Sequence, residues 1–221
     1  MHRTSRFYLL PLFATASLVF LPQSVPPALA ADDTTLISDV NEPSKPQVEL
    51  TKDIVYGTVA GEDLRLDLAT PKGLTRPTAG VVWIHGGAWR GGDKREFERP
   101  LIESAQQGYV AVNINYRLVP KQVFPAQVED CKCAIRWFRS HADQFHLDPK
   151  RIGVVGSSAG AHLAMMLGTL GSEDGLERDA GSPGVSSRVQ AVVSFAGPTN
   201  LQSPFPDASK QLVADFLGHA A

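Results

Sequence analysis

Cysteine is scarce in this 221-residue chain: only Cys131 and Cys133 are present. Residues two apart on a helix point to different faces, which argues against a bond between them and leaves no disulfide framework. A Cys-x-Cys pair with no His or Cys partner nearby is also a poor metal site, so no metal is expected. A surplus of charge of one sign is missing too. The 21 basic and 23 acidic residues leave a net charge of −2, and no basic run stands out to follow a nucleic-acid backbone. Beyond the first thirty residues no apolar run approaches membrane-spanning length. With 43% apolar and 20% charged residues, the chain reads as globular rather than disordered, long enough for one domain with a substantial core.

The first thirty residues read as an address. Arg3 and Arg6 give a basic start, Phe7 to Leu21 is largely apolar, and Ala28-Leu29-Ala30 is a small-x-small cleavage site. The alternative is a membrane anchor, but the stretch is short and broken by Pro11 and Pro22. A signal peptide over 1–30, cut after Ala30, is therefore expected, with export to the periplasm or medium and no stable membrane anchor afterwards. Residues 31–50 are polar and contain Pro43 and Pro46, the composition of a linker. Order is expected to begin near Thr51, with one domain over 51–221.

Ile54 to Val59 and Leu64 to Leu68 are strand-like, joined by Ala60-Gly61-Glu62-Asp63. In the second, Leu64, Leu66 and Leu68 are expected inward and Arg65 and Asp67 outward. From Val81 the rhythm becomes strand, helix, strand, helix. Val81-Val82-Trp83-Ile84 reads as a strand covered on both faces, Lys94 to Gln107 as a helix stopped by Gly108, and Tyr109 to Ile114 as the next strand. Val128, Cys131, Ile135, Phe138 and Ala142 mark a long amphipathic helix beginning near Pro125, and Cys131 falls on its apolar face. Asp148-Pro149 is read as the turn into Ile152–Val155, and Val189 to Phe195 as a later strand. Alternation of this kind predicts an α/β fold, a mainly parallel sheet flanked by helices.

The chain is organised around Gly156-Ser157-Ser158-Ala159-Gly160. An apolar strand-like run precedes it. In the helix-like run that follows, Leu163, Met166, Leu167 and Leu170 share one face. Gly-x-Ser-x-Gly between strand and helix is the setting of a nucleophile elbow, whose serine hydroxyl stands clear of the sheet beside free helix N–H groups. The bland reading is a small βα turn without chemistry; the strand–turn–helix setting favours Ser158 as the nucleophile. A second stretch, His85-Gly86-Gly87-Ala88-Trp89, follows directly on the Val81–Ile84 strand. Acyl transfer needs N–H donors aimed at a developing oxyanion. Glycine exposes its N–H without a side chain in the way, so Gly86, Gly87 and Ala159 are the oxyanion-hole candidates, with Ala88 possible. Trp89 and Tyr116 follow strand ends and are candidates to line a substrate pocket, with ordinary packing the alternative. His85 is read as orienting the loop, and His162 as packing.

Five segments occur in order: His85 to Trp89, Asn115-Tyr116-Arg117-Leu118, Phe124-Pro125-Ala126, Asp148 to Ile152, and Gly156 to Leu163. Together they resemble the α/β-hydrolase esterases of the hormone-sensitive-lipase and feruloyl-esterase-like type, over about residues 51–200. Ala88, where many members have a third glycine, and Ser157, where many have Asp, depart from the pattern. The resemblance implies a serine carboxylesterase of lipase-like type, acting through an acyl-enzyme on small or carbohydrate-linked esters, with no metal or cofactor. It also implies a triad acid and histidine after the nucleophile, in strands for which the chain up to Ala221 has no sequence. Asp215 and His219, four apart on a terminal helix, are poor substitutes, because a chain end is a weak scaffold for triad geometry. The triad acid and base are therefore expected not to lie in this chain, which reads as a fragment or truncated product. Two alternatives are an inactive hydrolase-like binding module and a serine peptidase of the same fold. The sequence does not specify an oligomeric state.

Overall fold

Val48–Val59 (β1) and Glu62–Pro71 (β2) form an antiparallel hairpin in a computed structural model describing residues 45–177, 180–202 and 206–218. The proposed signal peptide lies outside the described residues. The first strand begins at Val48, before both the expected strand start at Ile54 and the expected onset of order near Thr51, and takes the end of the expected linker into the sheet. The turn is also tighter than expected. Val59 pairs with Glu62, leaving only Ala60 (φ 51°) and Gly61 (φ 79°) between the strands. Two successive positive φ values match the right-handed twist of a two-residue hairpin.

Thr78–Ile84 (β3) leads through a loop and a single 3₁₀ turn, Lys94–Phe97, into Glu98–Gln106 (α1), so the expected helix is split in two. Val110–Ile114 (β4), Ala126–Ser140 (α2), Ala142–Phe145 (α3), Leu147–Ser157 (β5), Ala159–Thr169 (α4), Ala191–Phe195 (β6) and Asp207–Leu217 (α5) follow. The strand order is β1-β2-β4-β3-β5-β6, antiparallel as far as β4 and parallel from there. This is the α/β-hydrolase arrangement of a mainly parallel sheet with helices packed on it. Asp148 and Pro149 lie inside β5 rather than in a turn before it: Leu147 already pairs with Thr78, and the ladder resumes at Ile152 after an irregularity.

All five residues of β4 are buried, as expected of a strand covered on both faces. In β3, Val82 and Ile84 are buried, whereas Val81 and Trp83 are half-buried. Trp83 stacks on Phe97, and its Nε1 donates to the Ser104 hydroxyl. The last strand is different. Val192, Val193 and Phe195 of β6 all remain exposed.

Two sequence expectations fail on charge. Asp67 was placed on the outer face of β2 but is fully buried, where its Oδ1 accepts from Lys94 Nζ at 2.6 Å and from the Asp53 amide at 2.9 Å. Alternation identifies a face but not what later covers it, and the segment after β3 brings the Lys94 ammonium onto that face. The second concerns α2, which forms where expected with its apolar face buried, but whose polar face is not left to solvent: every residue from Ala126 to Phe138 is buried. Its polar side is covered by other segments. Asp130 meets the Arg117 guanidinium at 2.7 Å, while Lys132 and Arg136 both reach Glu177 in the loop beyond α4. Both cysteines are free and buried, with Cys133 Sγ 3.3 Å from the Ala180 carbonyl oxygen.

Candidate active site

Ser158 sits between the end of β5 and the first residue of α4, with φ 52° and ψ −118°. A residue with a Cβ rarely adopts such angles, and where it does the strain is held by surrounding structure and clusters at functional sites. Here the Ser158 amide donates to the Phe195 carbonyl at 2.8 Å, and the His162 amide donates to the Ser158 carbonyl at 3.1 Å. Gly156 and Gly160 make the turn feasible. A Cβ on Gly156 would fall 2.2 Å from the Gly160 carbonyl oxygen, and one on Gly160 would fall 2.2 Å from that of Ile84. The outcome is an exposed serine between half-buried Ser157 and buried Ala159. Ala159 opens α4, so its N–H has no carbonyl four residues back and lies at the positive end of the helix.

The loop after β3 comes directly against this turn. An ideal Cβ on Gly86 would lie 3.3 Å from Ser158 Cβ and 3.0 Å from the Ser157 carbonyl oxygen. The chain then takes three consecutive positive φ values: 99° at Gly87, 52° at Ala88 and 56° at Trp89. The amides of Arg90 and Gly91 close back on the Gly87 carbonyl at 3.1 and 3.0 Å. Among the described residues, the N–H groups of Gly86 and Gly87 donate to no other backbone carbonyl. Ser158 and Gly86 are thus brought together by the carboxyl ends of β3 and β5, the position at which parallel sheets place their sites.

Trp89 and Tyr116 part company. Trp89 borders a cleft of about 480 Å³ beside Ser158, together with Ala196, Gly197, Leu212 and Val213. Tyr116 does not border it. Its ring is 4% exposed and stacks on His85 at 4.3 Å, and its hydroxyl lies 3.0 Å from the His85 carbonyl oxygen and 3.2 Å from that of Gly86. The expectation that Tyr116 contacts substrate is therefore corrected: buried packing and polar contacts to the loop account for it. His85 is 1% exposed, its Nδ1 is 2.8 Å from the Gly86 carbonyl oxygen, and burial lowers its pKa from 6.5. It orients the loop, as its position suggested.

Sequence reasoning expected a terminal helix but missed that α5 packs at the cleft. Phe216 is buried, stacks on Trp89 at 4.3 Å and meets the ring of His162 edge-on at 5.6 Å. Its carbonyl accepts from the Phe124 amide at 2.8 Å. This anchor sets Ser209, Leu212 and Val213 along the cleft. The available signal was the apolar spacing of Leu212, Val213 and Phe216, one helical turn apart. Asp215 is engaged elsewhere, 3.7 Å from the Arg90 guanidinium and 2.7 Å from Gln211 Nε2, while His219 lies outside the described residues. His162, edge-on to Trp89, is depressed by burial. Among the described residues no side chain hydrogen-bonds the Ser158 hydroxyl, and no group of three or more His, Cys, Asp and Glu could hold a metal ion.

Known proteins match this arrangement. The family described as BD-FAE matches residues 66–220. "Probable carboxylic ester hydrolase LipM" of Mycobacterium tuberculosis is 36% identical over 122 residues, covering 54% of this chain and 28% of its own length. "Esterase LipQ" of the same organism is 32% identical over 175 residues, covering 76% of this chain and 40% of its own length. The chain thus spans less than half the length of these two relatives. Among solved structures, esterase 2 of Thermogutta terrifontis phosphonylated by sarin superimposes with a TM-score of 0.68 at 27% identity, covering 80% of this chain and 66% of that one. The same esterase with propionate bound gives 0.65 at 28% identity, covering 80% and 65%.

Proposed function

Because this chain belongs to the BD-FAE family, we propose that it carries the nucleophile and oxyanion hole of a serine carboxylesterase. Ser158 Oγ attacks the ester carbonyl carbon, and the amides of Gly86, Gly87 and Ala159 hold the oxyanion of the tetrahedral adduct. Collapse expels the alcohol and leaves an acyl group on Ser158, which water then removes. The Ser158 proton passes to a histidine base, and from it to the leaving alcohol; in this reading that base lies outside the described residues. No metal or cofactor takes part.

The observation that carries the proposal is the strained Ser158 turn with Gly86 packed directly against it. The substrate is a small ester, of a simple alcohol or of a carbohydrate hydroxyl. Support comes from the small residues Ala88, Ala159, Ala196 and Gly197 bordering the cleft, which suit a short acyl group. The propionate seated in the Thermogutta esterase points the same way. Export through residues 1–30 belongs to the same reading, since a carbohydrate ester outside the cell needs an exported enzyme. Among the described residues no helix is long and apolar enough to cross a membrane.

Hydrolysis of p-nitrophenyl acetate by the chain and by Ser158→Ala tests the proposal. With the base outside the described residues, removing the nucleophile is expected to abolish the residual Ser158-dependent rate that the oxyanion hole supports. Equal rates for the two proteins would reject Ser158-dependent hydrolysis by this chain.

A further inference from the structure

We infer that Tyr116 is a positioning residue that aims the oxyanion-hole amides by holding the carbonyl ends of the same peptide units. The inference deepens the esterase reading above and rests on it for its catalytic consequence. A peptide unit is planar and trans, so the C=O of one residue and the N–H of the next point in opposite directions. The His85 carbonyl shares its plane with the Gly86 N–H, and the Gly86 carbonyl shares its plane with the Gly87 N–H. Tyr116 Oη lies 3.0 Å from the first of these oxygens and 3.2 Å from the second, so one hydroxyl proton is shared between them. His85 Nδ1, 2.8 Å from the Gly86 oxygen, adds a second donor when that nitrogen carries the proton. Drawing both oxygens toward the tyrosine turns both N–H groups away from it.

Glycine makes such a device necessary. With no Cβ at 86 or 87, rotation of either peptide unit meets little steric resistance, so the orientation must be imposed from outside. Tyr116 is well placed to impose it. Its ring is buried and stacked on His85 with an interplanar angle of 13°. On one side, the Asn115 carbonyl accepts the Tyr56 hydroxyl at 2.6 Å. On the other, the Arg117 amide donates to Asp130 at 2.9 Å. Burial raises the Tyr116 pKa well above its ordinary value, so the hydroxyl remains a donor throughout the working pH range.

Tyr116→Phe removes the hydroxyl and keeps the stacked ring. The full chain labelled with ¹⁵N-glycine, its Gly86 and Gly87 amides assigned through ¹³C-carbonyl labelling of the preceding residue, is compared with this variant and with Tyr109→Phe as a surface control. The Gly86 and Gly87 resonances are expected to shift and broaden in Tyr116→Phe and to stay in place in the control. With p-nitrophenyl acetate, kcat is expected to fall by about tenfold, less than the loss of an oxyanion donor itself, while KM changes less than about twofold. Unmoved glycine resonances would overturn the inference, as would a raised KM with unchanged kcat, the signature of a tyrosine that contacts substrate. If the parent chain shows no Ser158-dependent turnover, the esterase reading fails, and the glycine resonances still decide the role of Tyr116.

Discussion

An alanine Cβ at position 160 would lie 2.2 Å from the carbonyl oxygen of Ile84 and 2.3 Å from that of His85, both on the strand end that carries the oxyanion loop. Backbone cannot step aside as a flexible side chain can. Gly160→Ala is therefore expected to cost about 1–3 kcal/mol of stability and to push the loop away from Ser158, read as a lower urea midpoint together with lost esterase activity. A variant as stable and active as the parent would show that β3 and α4 do not approach so closely. Residues of this kind were legible in the sequence, because Gly-x-Ser-x-Gly and His-Gly-Gly state their backbone requirements directly. Tyr116 and Asp67 were not. Each is defined by a partner 27 or more residues away, Lys94 for Asp67 and the His85–Gly86 carbonyls for Tyr116, and local pattern carries no record of what the fold brings over a residue.

Between elements, the same long-range contacts do the fastening. The buried Lys94 ammonium ties the segment after the oxyanion loop to β2 through Asp67. The Lys94 amide meets Asn115 Oδ1 at 2.6 Å, and its carbonyl accepts from Asn113 Nδ2 at 2.9 Å. Lys94→Met leaves the Asp67 carboxylate buried without its countercharge and is expected to cost about 3–5 kcal/mol, measured by urea denaturation. Asp67→Asn in the same chain is expected to restore part of the loss; no recovery would mean that the alkyl stem, not the charge, supplied the stability. At the cleft, Leu212→Ala in α5 opens space beside Ser158. The expected outcome is a shift in kcat/KM from p-nitrophenyl acetate toward the butyrate and hexanoate esters, and an unchanged ratio would remove α5 from the substrate wall. The elements themselves were largely readable, with errors at their ends: α1 lost its first turn to a 3₁₀ segment, and β5 absorbed Asp148-Pro149. The role of α5 was hidden because its apolar spacing names a buried face without naming Trp89 as what it buries.

For the molecule as a whole, the parallel half of the sheet followed from strand–helix alternation. The insertion of β4 between β2 and β3 did not, since no local signal sets the order in which crossovers return. This arrangement buries His85 in the loop and half-buries His162 one turn beyond the nucleophile. Burial depresses both His85 and His162 below the ordinary 6.5, with the Gly86 carbonyl partly opposing the shift at His85. A depressed histidine is neutral in both states above the unfolded pKa, so its stability contribution is intact there. Below about 6.5 the unfolded chain takes up protons that the folded chain resists, and stability falls with pH. Urea midpoints are accordingly expected to be lower at pH 5.5 than at pH 7.5, a window well above that in which Asp53, Asp148 and Glu177, all lowered, begin to protonate. A midpoint that rises on acidification to pH 5.5 would contradict the neutral state of these two rings.

The central claim is that Ser158 stands exposed, opposite amides able to hold negative charge, and a covalent probe reads this without waiting for turnover. Incubation of the full chain with a fluorophosphonate, followed by proteolysis and mass spectrometry, should place the adduct on Ser158, with labelling abolished in Ser158→Ala. An adduct on another serine, or none on Ser158 while the chain is folded, would contradict the account.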